Sequence, residues 1–240
     1  MYSSKRAIDR TALVRLTACL ALCVGLMATA VSAMAQAWPS RPITVIVPYP
    51  PGGGTDIGAR TWGGLLEQEL GVPVNVINRG GGAGIPGHTA IAKAKPDGYT
   101  IGVMTNDISL YKPQGLAELT YADLRPLGQA TRIAAGKLQP LAVMATERLE
   151  GFPETPTLKE AIGSNWTYSV VHGVAGPKGL PDDIAKRLTE ALGKVIQSDA
   201  FKQAMAKRSI EVAWQPGDAY RKALADDLEA TTRILKQIKR

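Results

Sequence analysis

The chain of 240 residues has almost no cysteine and very little histidine. Its two cysteines, Cys19 and Cys23, both lie within the first 37 residues, so the rest of the chain offers no disulfide and no thiolate. His88 and His172 are the only imidazoles, and neither has a carboxylate nearby at metal-ligand spacing. No G-x-S-x-G, H-E-x-x-H or G-x-x-x-x-G-K-[ST] pattern occurs. We therefore expect no catalytic residue, no metal site and no cofactor, and we expect His88 to be a packing or surface residue.

The first 37 residues differ in composition from the rest and predict a cleaved secretory signal peptide. A basic leader precedes the uncharged apolar run 16–31, and small-residue A-x-A sequences follow at 33–35 and 35–37. An uncleaved anchor is the alternative, because the uncharged stretch 16–37 is long enough to cross a bilayer. The many alanine, threonine and serine residues and the repeated A-x-A pattern favour cleavage, and hence a protein outside the cytoplasm.

Beyond this leader the chain is only mildly basic. The whole sequence has a formal net charge of +7, and the leader holds four of the 28 basic residues and one of the 21 acidic residues, which leaves +4. This small excess is spread along the chain, so we expect no nucleic-acid partner. The hydrophobic content of 45% and the charged content of 20% are ordinary for a soluble globular protein.

The most informative stretch is 43–60, ITVIVPYPPGGGTDIGAR, which predicts a buried strand, a glycine loop and a helix in direct succession. The run 43–47 is apolar and β-branched without polar alternation, as expected of a parallel strand covered on both faces. Glycines 52–54 let a ligand approach the main chain closely, and Thr55 or Asp56 is predicted to cap the helix. Free N–H groups at a helix start attract anions, so the loop is interpreted as a carboxylate or phosphate cradle.

Two more strand signals follow, which predicts an α/β fold with a parallel sheet. Strands are expected at 74–77 and 100–104, with a second glycine loop at 78–84 and a helix from Pro86 to about Lys95 between them. Right-handed crossovers gather the loops at the carboxyl ends of the strands. The second glycine loop fits close strand–helix packing and a ligand role about equally well. Three apolar stripes predict helices in the C-terminal third, packed against the sheet.

An ordered set of motifs resembles one family over nearly all of the chain after the leader. The motifs are VPYPPGGGTDIGAR, NRGGGAGIPG, PDGYT, GKLQPLAV, ERL, FPETPTLKE and GPKGLPDDIAKRL. In this order they resemble the periplasmic substrate-binding proteins of tripartite tricarboxylate transporters. The resemblance implies a periplasmic-binding-protein type II fold, a small di- or tricarboxylate or related organic acid as ligand, and membrane permease components as partners. It places the protein in the periplasm.

The resemblance also implies the ligand-binding residues. Carried over by motif, the cradle is Tyr49, Gly52, Gly53, Gly54, Thr55 and Asp56, in which the amides 52–55 bind a carboxylate and Asp56 organises the loop. Thr105 and Asn106 stand where the family adds side-chain hydrogen bonds. His172 falls at the return crossing between the lobes, where members more often have tryptophan.

By comparison with the family pattern, about 80 to 100 residues of the second lobe are absent between Thr131 and Gly136. We expect residues 38–125 and 173–240 to form the first lobe, and 126–172 to be a vestigial second lobe with crossing segments and one strand at 141–143. So few residues are too few for a core of their own. Two readings follow: a solute-binding protein that delivers a carboxylate to its transporter, or an internally deleted remnant with weak or no binding.

Overall fold

The computed structural model describes residues 38–133, 147–148, 153–163, 170–208 and 210–238. Contacts divide the chain into a unit of residues 1–40, of which 38–40 are described, and a unit of residues 41–240 that contains every element named below. Its strands are β1 (Ile43–Val47), β2 (Val74–Asn78), β3 (Thr100–Thr105), β4 (Leu124–Ile133), β5 (Val170–Pro177) and β6 (Ile210–Pro216). Its α-helices are α1 (Gly54–Leu70), α2 (Ile85–Ala92), α3 (Ile108–Tyr111), α4 (Leu158–Ile162), α5 (Asp182–Gln197), α6 (Asp199–Ala206) and α7 (Gly217–Ile238).

The six strands form one mixed sheet in the order β2-β1-β3-β5-β4-β6. Strand β1 pairs in parallel with β2 and β3, which confirms the parallel sheet predicted from the three strand–loop–helix units. The other half is antiparallel, since β5 pairs in the opposite direction with both β3 and β4, and β6 does so with β4. The carboxyl ends of β1, β2, β3 and β4 therefore lie at the same edge of the sheet as the start of β5.

Both faces of the sheet are covered, as the unbroken apolar run of β1 predicts. Val45, Ile46 and Val47 follow one another on alternate faces and are at most 3% exposed. Helix α1 contacts α5 and α6, and α5 also packs on β4 and β6. A second group packs around α2, α3 and α7 in a core cluster whose members are Ile46, Ile91, Met104, Ile108, Tyr111, Leu124, Ala175, Tyr220 and Leu224.

Helix α1 begins differently from the prediction. Its N-cap is Gly53, whose extended backbone carries no capping side chain, and Thr55 and Asp56 lie inside the first turn. The predicted capping role for either residue is thus wrong. The first intrahelical bond runs from the Ile57 amide to the Gly53 carbonyl, 2.9 Å away, so the turn before it keeps its amides available.

The final helix is fixed to the sheet by a buried tyrosine, which confirms the packing predicted for its apolar stripe. Tyr220 is fully buried and donates a hydrogen bond to the Met104 carbonyl of β3 at 2.8 Å. Its ring lies over Gly173 of β5, where a Cβ would stand 2.1 Å from Tyr220 Cε1 and 2.7 Å from the Gly128 carbonyl oxygen. Only glycine leaves room here for the ring.

Strand β4 continues in the sheet as far as Ile133, and β5 re-enters it at Val170. Between them, within the described residues 147–148 and 153–163, lies the short helix α4, which starts with a capping box formed by Thr157 and Glu160. The predicted strand at 141–143 and the predicted signal peptide fall outside the described residues. That the region between β4 and β5 is a shortened second lobe stays a prediction. Among the described helices, none has the length and apolar character that spanning a membrane requires.

We predict that Gly173→Ala destabilises the protein by about 2–3 kcal/mol, because the added methyl group overpacks the site under Tyr220 and meets the Gly128 carbonyl. The free energy of unfolding, measured by urea denaturation, tests this. Gly64→Ala is the control, since Gly64 is exposed in α1 and a Cβ there meets nothing within 4 Å. Replacing that helical glycine should stabilise the protein by about 0.5–1 kcal/mol. Equal effects of the two changes would contradict the close contact between Gly173 and the Tyr220 ring.

Candidate functional site

The candidate site lies at the edge of the sheet where β1 and β3 end and β5 begins. The loop 48–53 joins β1 to α1, and residues 106 and 107 follow β3. His172 of β5 is the direct pairing partner of Thr105 at the end of β3 and of Thr131 near the end of β4. The structure thus brings the predicted residues of all three segments to one corner.

A buried carboxylate fixes the shape of the β1–α1 loop. Asp56 is 2% exposed, and its Oδ2 accepts hydrogen bonds from the Gly52 amide at 2.9 Å and from Arg60 Nε at 3.1 Å. Its Oδ1 accepts from Asn78 Nδ2 at 2.8 Å and faces an Arg60 terminal nitrogen at 3.0 Å. Burial alone would raise the pKa of Asp56, but the bonds from Arg60, Gly52 and Asn78 outweigh it and the pKa is lowered.

The same network ties the loop to β2. Asn78 at the end of β2 also donates from Nδ2 to the Tyr49 carbonyl at 3.0 Å, and it accepts from Arg60 at 2.8 Å. Gly52 has a φ of +86°, a conformation that favours glycine, and a Cβ there would meet nothing within 4 Å. Asp56 therefore organises the loop, while the amide of Gly52 is already used inside the protein.

Three backbone amides of the cradle remain available. Within the described part of the chain, the amides of Gly53, Gly54 and Thr55 donate no hydrogen bond of normal geometry to another protein group. Gly53 is exposed, and Gly54 and Thr55 are half-buried. These N–H groups stand at the start of a 17-residue helix, where the dipole is positive and anions bind favourably.

A row of buried polar side chains forms the floor beside these amides. Thr105 is 1% exposed, and its hydroxyl lies 2.8 Å from the Tyr49 hydroxyl. His172 is 8% exposed, with Nε2 3.2 Å from the Thr55 hydroxyl and Nδ1 3.5 Å from the Thr131 hydroxyl. Asn106 is 4% exposed, and its Oδ1 accepts from the Val171 amide at 3.4 Å. The polar groups of this floor are thus largely hydrogen-bonded to other groups of the protein.

Both histidines are buried and neutral at physiological pH. Burial lowers the pKa of His172 to about 4, and burial likewise lowers the pKa of His88 to about 4. His172 therefore offers the site a neutral imidazole and no positive charge. His88 is fully buried, which agrees with the packing role expected for it.

The second glycine loop packs against the first. A Cβ at Gly80 would lie 3.1 Å from the Pro50 nitrogen, so these two loops touch through their backbones. Tyr111 donates to the Ala83 carbonyl at 2.6 Å and lies 2.7 Å from His88 Nδ1, while the Thr105 amide donates to His88 Nε2 at 3.4 Å. Because Tyr111 uses its proton on Ala83, His88 carries its proton on Nδ1. The structure therefore shows close packing by this loop, which was one of its two expected roles. The other role, contact with a ligand, stays a prediction.

Sequence reasoning missed several side chains that shape the corner, among them Arg60, Asn78, Asp107 and Thr131. Asn78 directly follows the predicted strand 74–77, and Asp107 stands three positions after the predicted strand 100–104. Polar residues at the carboxyl ends of parallel strands were a usable signal. Arg60 is one helical turn after Asp56, which is the spacing of an ion pair on a helix. Thr131 carried no local signal. In the described ranges, no group of three or more histidine, cysteine or acidic side chains could hold a metal ion.

Comparison with known proteins places the chain in a family. Residues 125–239 match the tripartite tricarboxylate transporter family receptor, TctC. Protein BugT of Bordetella pertussis is 24% identical over 93% of this chain and 97% of that protein. The chain belongs to the tripartite tricarboxylate transporter receptor family. Members of this family are periplasmic receptors that bind solutes, which agrees with the absence of an enzyme signature.

The chain is shorter than its relatives. Its alignment with BugT covers 316 positions although the chain has only 240 residues, so the missing length falls inside the aligned region. A UPF0065 protein of Agrobacterium vitis is 33% identical over 75% of this chain, yet the match covers only 51% of that relative. The predicted truncation of the family pattern is confirmed.

Solved structures confirm the periplasmic-binding-protein fold. A TctC solute-binding protein from Polaromonas superposes with a TM-score of 0.72 at 22% identity, covering 84% of this chain and 99% of that chain. MatC of Rhodopseudomonas palustris, solved with bound malate, gives 0.69 at 18% identity, covering 82% of this chain and all of that one. An R. palustris protein solved with adipate gives 0.68 at 16% identity, covering 83% and 98%.

We predict that Asp56→Asn costs about 2 kcal/mol of stability at pH 7, because the charge that holds the bonds from Gly52, Arg60 and Asn78 is lost. Although burial opposes it, the pKa of Asp56 is lower in the folded chain than in the unfolded one. The carboxylate thus stabilises the fold above its unfolded pKa of about 4, and this contribution disappears as the pH falls through the folded value.

Urea denaturation between pH 3 and pH 7 measures the difference between wild type and Asp56→Asn, which should shrink toward the acid end. Asp97→Asn is the control, because Asp97 forms an exposed ion pair with Arg41 at 3.0 Å. That change should cost less than about 1 kcal/mol. A pH-independent loss in Asp56→Asn would show that its charge is not what stabilises the loop.

Proposed function

We propose that this protein captures a small organic carboxylate outside the cytoplasm and delivers it to the membrane components of a tripartite tricarboxylate-type transporter. The amides of Gly53, Gly54 and Thr55 hold one carboxylate of the ligand. The proposal includes export through the predicted signal peptide, followed by its cleavage. No chemical step is part of this function.

The observation that carries the proposal is the set of three backbone N–H groups at the start of α1 without an acceptor in the described chain. A buried donor without a partner costs about 1–3 kcal/mol, so such groups remain only where solvent or a ligand reaches them. They point from a helix start, where negative charge is favoured, and the Asp56 network fixes their direction. A carboxylate fits this donor set.

Related structures support the class of ligand. MatC was solved with malate and the R. palustris protein with adipate, and both are dicarboxylates. Their identity to this chain is below 20%, so they support the chemical class and not the particular acid. Tyr49, Thr105, Asn106 and His172 remain proposed contributors. Thr105 and Asn106 are almost fully buried; Thr105 contacts Tyr49 of the loop, and Asn106 accepts from the Val171 amide.

Because the second lobe is shortened, we expect a low affinity for the ligand. Three charge-assisted bonds at roughly 1.5 kcal/mol each give about 4–5 kcal/mol, which corresponds to a Kd on the order of 1 mM. A second lobe would enclose the anion and strengthen each bond by excluding water. We therefore propose weak binding by the first lobe, with the region between β4 and β5 adding little enclosure.

A pair of variants at Gly54 isolates the amide donors. Gly54 is the first helical residue and follows an extended Gly53 with φ −77° and ψ 166°, a setting that accepts proline. Gly54→Pro removes one N–H that has no protein acceptor, and Gly54→Ala adds a Cβ while keeping that N–H. We expect malate and adipate to bind Gly54→Pro about tenfold more weakly than Gly54→Ala.

Chemical-shift titration of the mature chain with millimolar malate and adipate measures these affinities. Thermal denaturation should show that both variants stay folded. Equal affinities of the proline and alanine variants would remove the Gly54 amide from the site. A folded wild-type chain that binds no dicarboxylate at tens of millimolar would favour the remnant reading over solute capture.

A further inference from the structure

Tyr49 and Asp107 form a second part of the site, the acceptor side, whose polarity follows from the single proton of Tyr49. The Tyr49 hydroxyl contacts both the Thr105 hydroxyl, at 2.8 Å, and the Asp107 carboxylate. A phenol has one proton to donate, and the charged carboxylate is the stronger acceptor. Tyr49 therefore donates to Asp107, and Thr105 donates to Tyr49.

Tyr49 holds this proton firmly. Burial raises its pKa, and the hydrogen bond to Asp107 raises it further. With its proton committed to Asp107, Tyr49 has no second proton for the carboxylate of a ligand. Its oxygen keeps only acceptor capacity. The contribution expected of Tyr49 to the cradle is therefore that of an acceptor.

Asp107 itself has acceptor capacity left. It is half-buried, Tyr49 occupies its Oδ2, and among the described residues no donor bonds its Oδ1. No lysine or arginine in the described ranges forms an ion pair with it. Burial raises the pKa of Asp227; a hydrogen bond from Ser109 lowers it, and the charge of Asp107 raises it. An incoming hydroxyl or ammonium group would find an unused oxygen here.

The acceptor side and the start of α1 contact neighbouring strands of the sheet. The Tyr49 hydroxyl contacts Thr105, the Thr55 hydroxyl contacts His172, and Thr105 and His172 are direct partners across β3 and β5. Side chains of directly paired residues on neighbouring strands stand on the same face, about 5 Å apart, so Tyr49 and Thr55 contact adjacent positions of the sheet edge. A substituent on carbon 2 lies directly beside the carboxylate, so an acid bound by the amides presents that substituent to the groups adjacent to them.

We propose that Asp107 is a specificity-determining residue that selects carboxylic acids with a hydroxyl or ammonium group beside the carboxylate bound by the Gly53–Thr55 amides. This inference rests on the proposed carboxylate site. Its new element is the acceptor side formed by Asp107 and Tyr49. An acid without such a donor leaves the Asp107 charge unpaired, and an acid with a second carboxylate in that place meets repulsion.

Succinate, L-malate and L-aspartate test this selection, because they share one four-carbon skeleton and carry hydrogen, hydroxyl or ammonium on carbon 2. Chemical-shift titration of the mature wild-type chain should show malate and aspartate binding about tenfold more tightly than succinate. Asp107→Asn keeps the acceptor for Tyr49 but adds an amide donor and removes the charge. In that variant the preference should fall to less than about twofold, chiefly because succinate binds better.

Asp183→Asn is the matched control, since it removes the same charge from an exposed position. Strand β5 runs from the site edge at Val170 to Pro177 at the opposite edge, and Asp183 follows soon after at the start of α5. This variant should keep the wild-type preference. Circular dichroism shows whether each variant is folded.

Each possible result of these titrations bears on a defined part of the proposal. Equal binding of the three acids by the wild-type chain, or an unchanged preference in folded Asp107→Asn, overturns the role of Asp107 and leaves carboxylate capture standing. Failure of all three acids to bind a folded wild-type chain overturns capture and the selection with it. Should Asp107→Asn fail to fold, the wild-type ranking alone decides, because a succinate preference contradicts the proposal.

Discussion

The candidate site depends on the buried carboxylate of Asp56. This one side chain joins the β1–α1 loop through the Gly52 amide, helix α1 through Arg60 and the end of β2 through Asn78. A polar network in a place of low dielectric stabilises only when every member is bonded, because each unsatisfied group there is costly. Here each carboxylate oxygen has two partners. The direction of the free amides follows from this arrangement, since the loop cannot turn without breaking it.

The part of the fold that sequence reasoning predicted is the part encoded locally. Strand β1, its glycine loop and the following helix are contiguous, so β-branched residues and glycines specify them without distant contacts. Strand β4 escaped prediction because Pro126 and Gly128 disfavour a central strand and because it carries irregular pairings between 126 and 128 and between 129 and 131. Only pairing with β5 and β6, far away in sequence, makes it a strand.

The same distinction holds for the candidate site. The glycine loop and Asp56 could be located from the motif, whereas the contacts of Tyr49 with Thr105 and Asp107 join residues 56 and 58 positions apart. Nothing local indicates that the proton of Tyr49 is used on Asp107. The capping role expected of Thr55 and Asp56 failed for a related reason. Asp56 has a stronger set of partners in tertiary structure than a helix N-cap would provide.

Shortening of the second lobe affects binding more than folding, because the sheet described here closes its own core. Both faces of β1 are covered, and glycines at 102, 128 and 173 let side chains of α2, β6 and α7 reach the sheet closely. None of these contacts needs a second lobe. What such a lobe would supply is exclusion of water from the ligand, which strengthens hydrogen bonds to an anion. A chain of this kind therefore folds on its own packing, and under the proposed function its affinity would be limited by how far the amides and Asp107 stay exposed to solvent.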